Sequence, residues 1–336
     1  MARNSDIREH QYQQGWDLIL PFLRPIEYLI LDQEISEIMV NPDGNVFTER
    51  MGLVRQETDV RLTQSTLEAA VKSIARQLGD DVSDEKPLLD ARLPDGSRVA
   101  AVMPPCSLGG ITFTIRKFNA RRFTVADLVE RGTLTRELAE LLERAIGARR
   151  NLLISGGTGT GKTTLLNILA DYIPDEDRIV VIEDTAEIHI RKSNLVRFEA
   201  RREQPGLPAV PIRDLLKASL RHRPDRIIVG EIRGGEAFDL LNALNTGHSG
   251  SISTVHANTA RGALSRFENL TLQSGVELPY KAIKANIADS LDLLVHINRR
   301  QGRRFVSEVL EIRRYLPEPD EYELAPVFSH ETVVAS

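Results

Sequence analysis

The chain has 336 residues, of which 41% are hydrophobic and 27% charged. That balance excludes a disordered or fibrous protein, and at roughly 150 residues per domain it implies two globular domains. With 43 basic against 48 acidic side chains the formal net charge is -5, so bulk charge offers no case for a nucleic-acid binder; the single cysteine, Cys106, excludes a disulfide framework and a four-cysteine zinc site.

Residues 1–33 read as a helical lead-in, with Trp16, Leu20, Leu23 and Leu31 apolar and Pro21 and Pro25 breaking the periodicity. The polar start MARNSDIREHQYQQGWD lacks the charged-then-apolar pattern of a secretory signal. No apolar run approaches the roughly 20 residues that span a membrane, so a cytoplasmic location is expected. Short strands are expected at SEIMVN (36–41), NVFTE (45–49) and near Gly52–Arg55, with Asn41-Pro42-Asp43-Gly44 as the first turn. Leu67, Ala70, Val71, Ile74 and Leu78 have helical spacing over 66–78. After a turn at Leu93-Pro94-Asp95-Gly96, Arg98–Val102 and Ile111–Ile115 read as strands. Cys106, beside Pro104-Pro105, reads as a packing or loop residue. These elements form an expected α+β domain over 1–118, followed by a linker over 119–132 with a short helical turn near Val125–Val129.

The remainder, 133–336, changes character. Leu134, Leu138, Leu141, Leu142 and Ile146 form a helical stripe. Asn151–Ser155, Ile179–Ile182 and Ile227–Val229 are short apolar strands with helices between them. That alternation predicts an α/β domain with a mainly parallel sheet covered on both faces.

Gly156-Gly157-Thr158-Gly159-Thr160-Gly161-Lys162-Thr163 matches the phosphate-loop pattern, between an expected strand, NLLIS, and an expected helix, TTLLNILADYI, that opens with Thr163 and Thr164. Glycines let successive backbone N–H groups converge on phosphate oxygens, and the helix N-terminus adds unsatisfied donors. Lys162 is expected on the β- and γ-phosphates and the Thr163 hydroxyl on Mg²⁺. Glu231 ends one apolar strand, and Glu183 and Asp184 end another, with Glu187 close behind. Parallel strands deliver such ends to one side of a sheet, where ligands bind. Glu183 ranks first as the water-activating base and Glu231 as the metal or water-positioning acid, with their order open.

His248 and His256 flank a short β-like segment. One is expected to sense the γ-phosphate while the other hydrogen-bonds across the site; a zinc pair and a purely structural pair are the rival readings. Arg221, Arg223, Arg226 and Arg233 lie around the acidic strand in sequence and are expected in part to balance Glu183, Glu187 and Glu231. Arg98 and Arg116 lie in strand patterns of the first domain, either as surface residues or at an interdomain cleft.

In order, SEIMVN, LPDGSRV, FTIRK, GGTGTGKTT, VVIEDTAEI, LRHRPDRIIVGEIRGGEA and TGHSGSISTVHAN resemble the secretion ATPases of type II and type IV systems, especially the VirB11-like and TrbB-like conjugative-transfer branch. The resemblance covers about residues 35–315. It implies a RecA-like P-loop core behind a smaller α+β domain, assembled as a homo-hexamer that hydrolyses ATP with Mg²⁺. Implied partners are inner-membrane secretion or pilus platform proteins and a coupling ATPase. Peripheral attachment to the cytoplasmic face of the inner membrane and direct nucleic-acid contact stay open. The resemblance maps an acidic box onto Glu183, Asp184 and Glu187, a modified Walker B strand onto Ile227–Glu231, and a histidine box onto His248 and His256. It turns Arg98 and Arg116 toward nucleotide. Catalytic candidates are therefore Lys162, Glu183, Glu231, His256 and Arg116; Arg98, Arg116 and His248 join the loop in binding nucleotide. Thr163, Glu183, Asp184 and Glu231 are the Mg²⁺ candidates, direct or through water. Type II ATPases often carry a four-cysteine module that this chain cannot form, whereas Tad pilus ATPases share nearly all the motifs. Two other functions compete with an ATPase powering secretion, conjugation or pilus assembly: a DNA-translocating motor, and a nucleotide-controlled assembly module with little turnover.

Overall fold

A computed structural model describes residues 19–330 apart from 51, 94, 119–122, 202 and 204–206. Trp16 of the expected lead-in lies outside the described residues. The chain falls into two units, Met1–Arg122 and Phe123–Ser336, each with buried apolar clusters of its own.

In the first unit, α1 (Leu20–Leu23), a 3-10 turn (Arg24–Ile26) and α2 (Glu27–Leu31) form the lead-in. Pro21 and Pro25 sit in the first turns of their segments, where a missing N–H removes no helical bond. Strands β1 (Ile35–Val40), β2 (Asn45–Arg50) and β3 (Leu53–Arg61) precede α3 (Gln64–Gln77), and β4 (Leu88–Arg92), β5 (Arg98–Val102) and β6 (Thr112–Arg116) follow it. They form an antiparallel sheet of order β3-β2-β1-β6-β5-β4. The Thr63 hydroxyl caps α3 by accepting from the Thr66 N–H. Leu67, Ala70, Val71 and Ile74 are buried as the spacing predicts; Leu78 lies past the helix end and is exposed. β6 runs one residue later than expected, which brings Arg116 into the strand, opposite Arg98 of β5 and Glu37 of β1.

The second unit opens with α4 (Val125–Glu130), held by a reciprocal capping box between Thr124 and Asp127, and α5 (Arg136–Gly147). Then come β7 (Leu152–Gly156), α6 (Lys162–Leu169), β8 (Ile179–Glu183), β9 (Leu195–Glu199), α7 (Ile212–Ser219), β10 (Arg226–Ile232), α8 (Glu236–Asn245), β11 (Ile252–His256), α9 (Ala260–Leu272), α10 (Tyr280–Ser290), β12 (Leu293–Arg300), β13 (Arg303–Leu316) and β14 (Glu321–Ser329). The sheet order is β14-β13-β12-β7-β11-β10-β8-β9, parallel from β12 to β9 and antiparallel across β12, β13 and β14.

Strand residues alternate between two apolar clusters. Leu153, Val180, Ile182, Ile227 and Val229 pack with residues of α7 to α10. Leu152, Ile154, Ile179, Val181 and Ile228 pack with residues of α4 to α6. Coverage of both faces is why these strands read as unbroken apolar runs. The RecA-like α/β core is as expected; the antiparallel edge built by β13 and β14 is an addition.

Candidate active site

The loop from β7 into α6 leaves the sheet at the carboxyl ends of the parallel strands. Gly159 (φ 70°) and Gly161 (φ 96°) take left-handed backbone that a side chain would strain, and Gly161 is the N-cap of α6. The Thr160 hydroxyl donates to the Gly157 carbonyl (2.9 Å). Lys162 folds over the loop, its Nζ donating to the carbonyls of Gly156 and Gly157, each at 3.1 Å. Burial lowers the Lys162 pKa, Glu231 and Glu187 raise it, and Arg233 lowers it. A phosphate arriving here would replace two neutral carbonyls as the ammonium's partners.

Glu183 ends β8 and is 3% exposed. Its Oε1 accepts the N–H groups of Glu187 (2.7 Å) and Ile188 (2.8 Å), and its Oε2 accepts from Arg197 of β9 at 3.4 Å. Burial raises its pKa, against those bonds. Gly230 of β10 makes room for it: a Cβ there would stand 3.1 Å from Glu183 Cγ and 3.4 Å from Ile188 Cδ1. Glu231 is more open, its side chain 27% exposed; its Oε2 accepts from Arg233 Nη2 (2.6 Å) and Nε (2.9 Å). Arg233 also reaches Asp184 Oδ2 at 3.4 Å, and its carboxylate partners raise its pKa. Glu187 is exposed.

The structure separates the two histidines. His256 closes β11 opposite Gly156 in the register, beside the phosphate loop. His248 precedes β11, and the loop it sits in is tied by the Gly250 N–H to the Asn151 side chain, ahead of β7 (2.7 Å). His248 Nδ1 lies 3.2 Å from the Ala243 carbonyl at the end of α8. The length of β11, about 13–17 Å at strand rise, lies between them. They therefore share no metal ion, and His248 does not reach its own chain's phosphate loop.

The arginines also divide. Arg226 is 1% exposed at the start of β10, with Nε on Asp177 (2.6 Å) and Nη1 on the Ile146 carbonyl (2.9 Å). A Cβ at Gly250 would collide with its guanidinium. Arg221 and Arg223 are exposed at that same far end. Of the four expected around the acids, Arg233 alone meets them, and Arg197, which the sequence reading passed over, takes up Glu183. Arg98 belongs to the first unit, where it holds Asp90 through Nε (2.8 Å) and Nη2 (2.6 Å). Arg116 lies in the same unit and draws down the Glu37 pKa, which burial raises.

A further residue missed was His296 of β12, 5% exposed, whose Nδ1 is 2.9 Å from Ser155 Oγ, immediately before the loop. The signal for it was a lone imidazole inside the apolar run Leu293–Ile297. Burial lowers its pKa and the Lys162 charge pushes the same way, while a hydrogen bond to the Asn258 backbone opposes.

Among the described residues no helix is long and apolar enough to cross a membrane. The family described as "Type II/IV secretion system protein" matches residues 22–317. The chain is 40% identical over 289 residues to the conjugal transfer protein TrbB of Rhizobium radiobacter, covering 84% of this chain and 85% of that one. It is 38% identical over 316 residues to the type IV secretion system protein PtlH of Bordetella pertussis, covering 85% and 93%. Its fold superposes on the ATPase DotB of Legionella pneumophila with a TM-score of 0.62, at 21% identity over 87% of this chain and 81% of that one. With a phosphate-loop motif at the carboxyl edge of a mainly parallel sheet and a family match over nearly its whole length, the chain belongs to the type II/IV secretion system proteins.

Proposed function

We propose that this chain binds ATP with Mg²⁺ and hydrolyses it to ADP and phosphate as a homo-hexamer, driving conjugative transfer or a related secretion or pilus-assembly step. The observation that carries the reading is the glycine-rich loop at the end of β7, with Glu231 of β10 and Glu187, just past β8, in the field of Lys162. The loop amides of residues 157–164 and Lys162 hold the β- and γ-phosphates. Mg²⁺ needs only one or two protein oxygens, with phosphate and water completing its shell; the Thr163 hydroxyl would supply one, with Asp184 and Glu231 reaching the ion through water. When bound, the ion neutralises charge on the phosphate oxygens.

A water oxygen attacks the γ-phosphorus, its proton passes to a carboxylate, and ADP leaves. We assign that carboxylate to Glu231 and the fixing of the 184–188 loop to Glu183, the reverse of the order expected from sequence. Glu183 is buried with three donors already on its two oxygens, whereas Glu231 is the more open of the two acids. His256 is assigned to the γ-phosphate side of the loop. Arg98 and Arg116 are assigned to bound nucleotide on the family resemblance, as are docking on inner-membrane platform proteins and a coupling ATPase at the cytoplasmic face. The names of the TrbB and PtlH relatives support the conjugative and secretion settings.

Lys162→Ala tests the core of the reading. Losing transition-state charge stabilisation is worth about 3 kcal/mol, roughly a hundredfold in rate. Steady-state phosphate release, beside circular dichroism showing an intact fold, should register that loss. Near-wild-type turnover by a folded, homogeneous Lys162→Ala protein would remove the loop from the chemistry.

A further inference from the structure

The phosphate loop has an outer face as well as an inner one, and the outer face is occupied. β12 pairs with β7 from Leu293 opposite Leu152 to His296 opposite Ser155, then runs on to Arg300 beyond the point where β7 turns into the loop. β13 returns along it with Arg299 opposite Arg304 and Arg300 opposite Arg303. The two residues between them, Gln301 (φ 50°) and Gly302 (φ 80°), are both left-handed. That is the tight two-residue turn whose twist matches the strands it joins, so the tip is a regular hairpin.

Residues directly opposite on an antiparallel pair share a face. The face bearing Arg299 and Arg304 meets the glycines of the phosphate loop. Arg304 Nε donates to the Gly159 carbonyl at 3.1 Å. A Cβ on Gly161 would stand 3.4 Å from Arg304 Cδ, and one on Gly159 3.5 Å from Arg299 Nη1. A Cβ on Gly156 would stand 2.5 Å from the Ile297 carbonyl oxygen. Three of the loop's glycines therefore admit the hairpin on one side, besides leaving room for phosphate on the other.

We propose that the β12–β13 hairpin is a clamp that sets the phosphate loop for ATP, with Arg304 as its positioning residue and Arg299 as a second fixed charge beside the triphosphate. The inference rests on the reading of this loop as the ATP site. A trans peptide is planar, so the Gly159 C=O and the Thr160 N–H point in opposite directions. A guanidinium holding the carbonyl outward turns the Thr160 N–H inward, toward the phosphate. Its charge also polarises that peptide, making the amide a stronger donor. A lysine at 304 would keep the charge but lose the directed Nε–H.

Binding of a fluorescent Mg·ATP analogue and steady-state kinetics on the full-length chain test this, with wild type, Arg304→Ala, Arg304→Lys, Arg299→Ala and the opposite-face control Arg300→Ala. One charge-assisted hydrogen bond is worth about tenfold in affinity. Arg304→Ala should raise the analogue's Kd and the KM for ATP by about that factor, with kcat changed less than about threefold because Lys162 and the acids are untouched. Arg304→Lys should stay nearer to Ala than to wild type, Arg299→Ala should show a smaller loss that shrinks at high salt, and Arg300→Ala should stay within about twofold. A hairpin serving stability alone would lower the thermal midpoint of Arg304→Ala and leave Kd and KM of the folded protein unchanged, which overturns the clamp. A wild-type chain that binds no Mg·ATP, or a Lys162→Ala chain with wild-type ATP affinity and turnover, overturns the ATP reading and the clamp with it.

Discussion

Glu183 and Glu231 are the same side chain in two settings, and the settings decide what each can do. Glu183 is sealed under Gly230 and Ile188 and spends both oxygens on the Glu187 and Ile188 amides and on Arg197. Glu231 is a strand-end acid held to one side by Arg233. A glutamine at 183 can still accept the two amides through its carbonyl oxygen, so Glu183→Gln should keep the 184–188 loop and lose less than about tenfold in single-turnover hydrolysis. Glu231→Gln removes the proton acceptor, and a positioned general base is worth about a hundredfold or more. Its Mg·ATP affinity should stay within about threefold while single-turnover hydrolysis falls by that larger factor. Rapid-quench hydrolysis with bound ATP separates the two; equal suppression in both variants would return the base to Glu183.

At the scale of elements, His296 links β12 to the strand that launches the phosphate loop, and its titration is the way to see that link. Its folded pKa lies below the ordinary histidine value of about 6.5, because burial and the Lys162 charge both disfavour the imidazolium. The unfolded chain thus binds the proton more readily. The neutral ring's contribution is complete above pH 6.5 or so and is lost as pH falls through the lower folded value. The thermal midpoint of wild type should therefore drop more steeply between pH 7 and 5 than that of His296→Gln. Parallel curves would mean that this ring does not titrate with unfolding.

Elements also explain what the sequence made legible. β7, β8 and β10 were readable because burial on both faces writes continuous apolar runs, and the loop between β7 and α6 because its glycines have fixed spacing. β9 was missed: Leu195–Glu199 is an edge strand with half-open residues and no apolar run. The β12–β14 meander was missed as well: His296 interrupts the apolar run of β12, its turn into β13 is crowded with arginines, and β13 and β14 carry no unbroken apolar run. Neighbours in sequence also misled. Arg226 is five residues from Glu231, but along an extended strand that is roughly 17 Å, enough to put it at the far end of the sheet. His248 and His256 failed to meet for the same reason. Arg197 was invisible because pairing of β8 with β9 is long-range in sequence and leaves no local periodicity.

For the whole molecule, the two units keep separate cores. The first unit's apolar residues, from Ile19 to Ile115, form one cluster, and the second unit's sheet has its own on each face. Arg98 and Arg116 stand opposite one another on β5 and β6 and so share a face of the first sheet. Arg98 is committed to Asp90 in a solvent-accessible pair, whose loss costs about 1 kcal/mol or less, and Arg116 is itself exposed beside the half-buried Glu37. The double variant Arg98→Ala/Arg116→Ala should therefore fold with a nearly unchanged thermal midpoint. If the proposed assignment to nucleotide holds, it should also lose about tenfold or more in ATP turnover, since two fork-shaped donors to phosphate oxygens are gone. Closure of domains around a substrate excludes water and completes a site, and the same variant should weaken any nucleotide-driven change in distance between the units. Fluorescence energy transfer between a dye in each unit, with and without a nonhydrolysable ATP analogue, reads that change directly. Wild-type turnover together with a wild-type distance response would reduce both arginines to partners of Asp90 and Glu37, and would leave the hydrolysis to residues 123–336 alone.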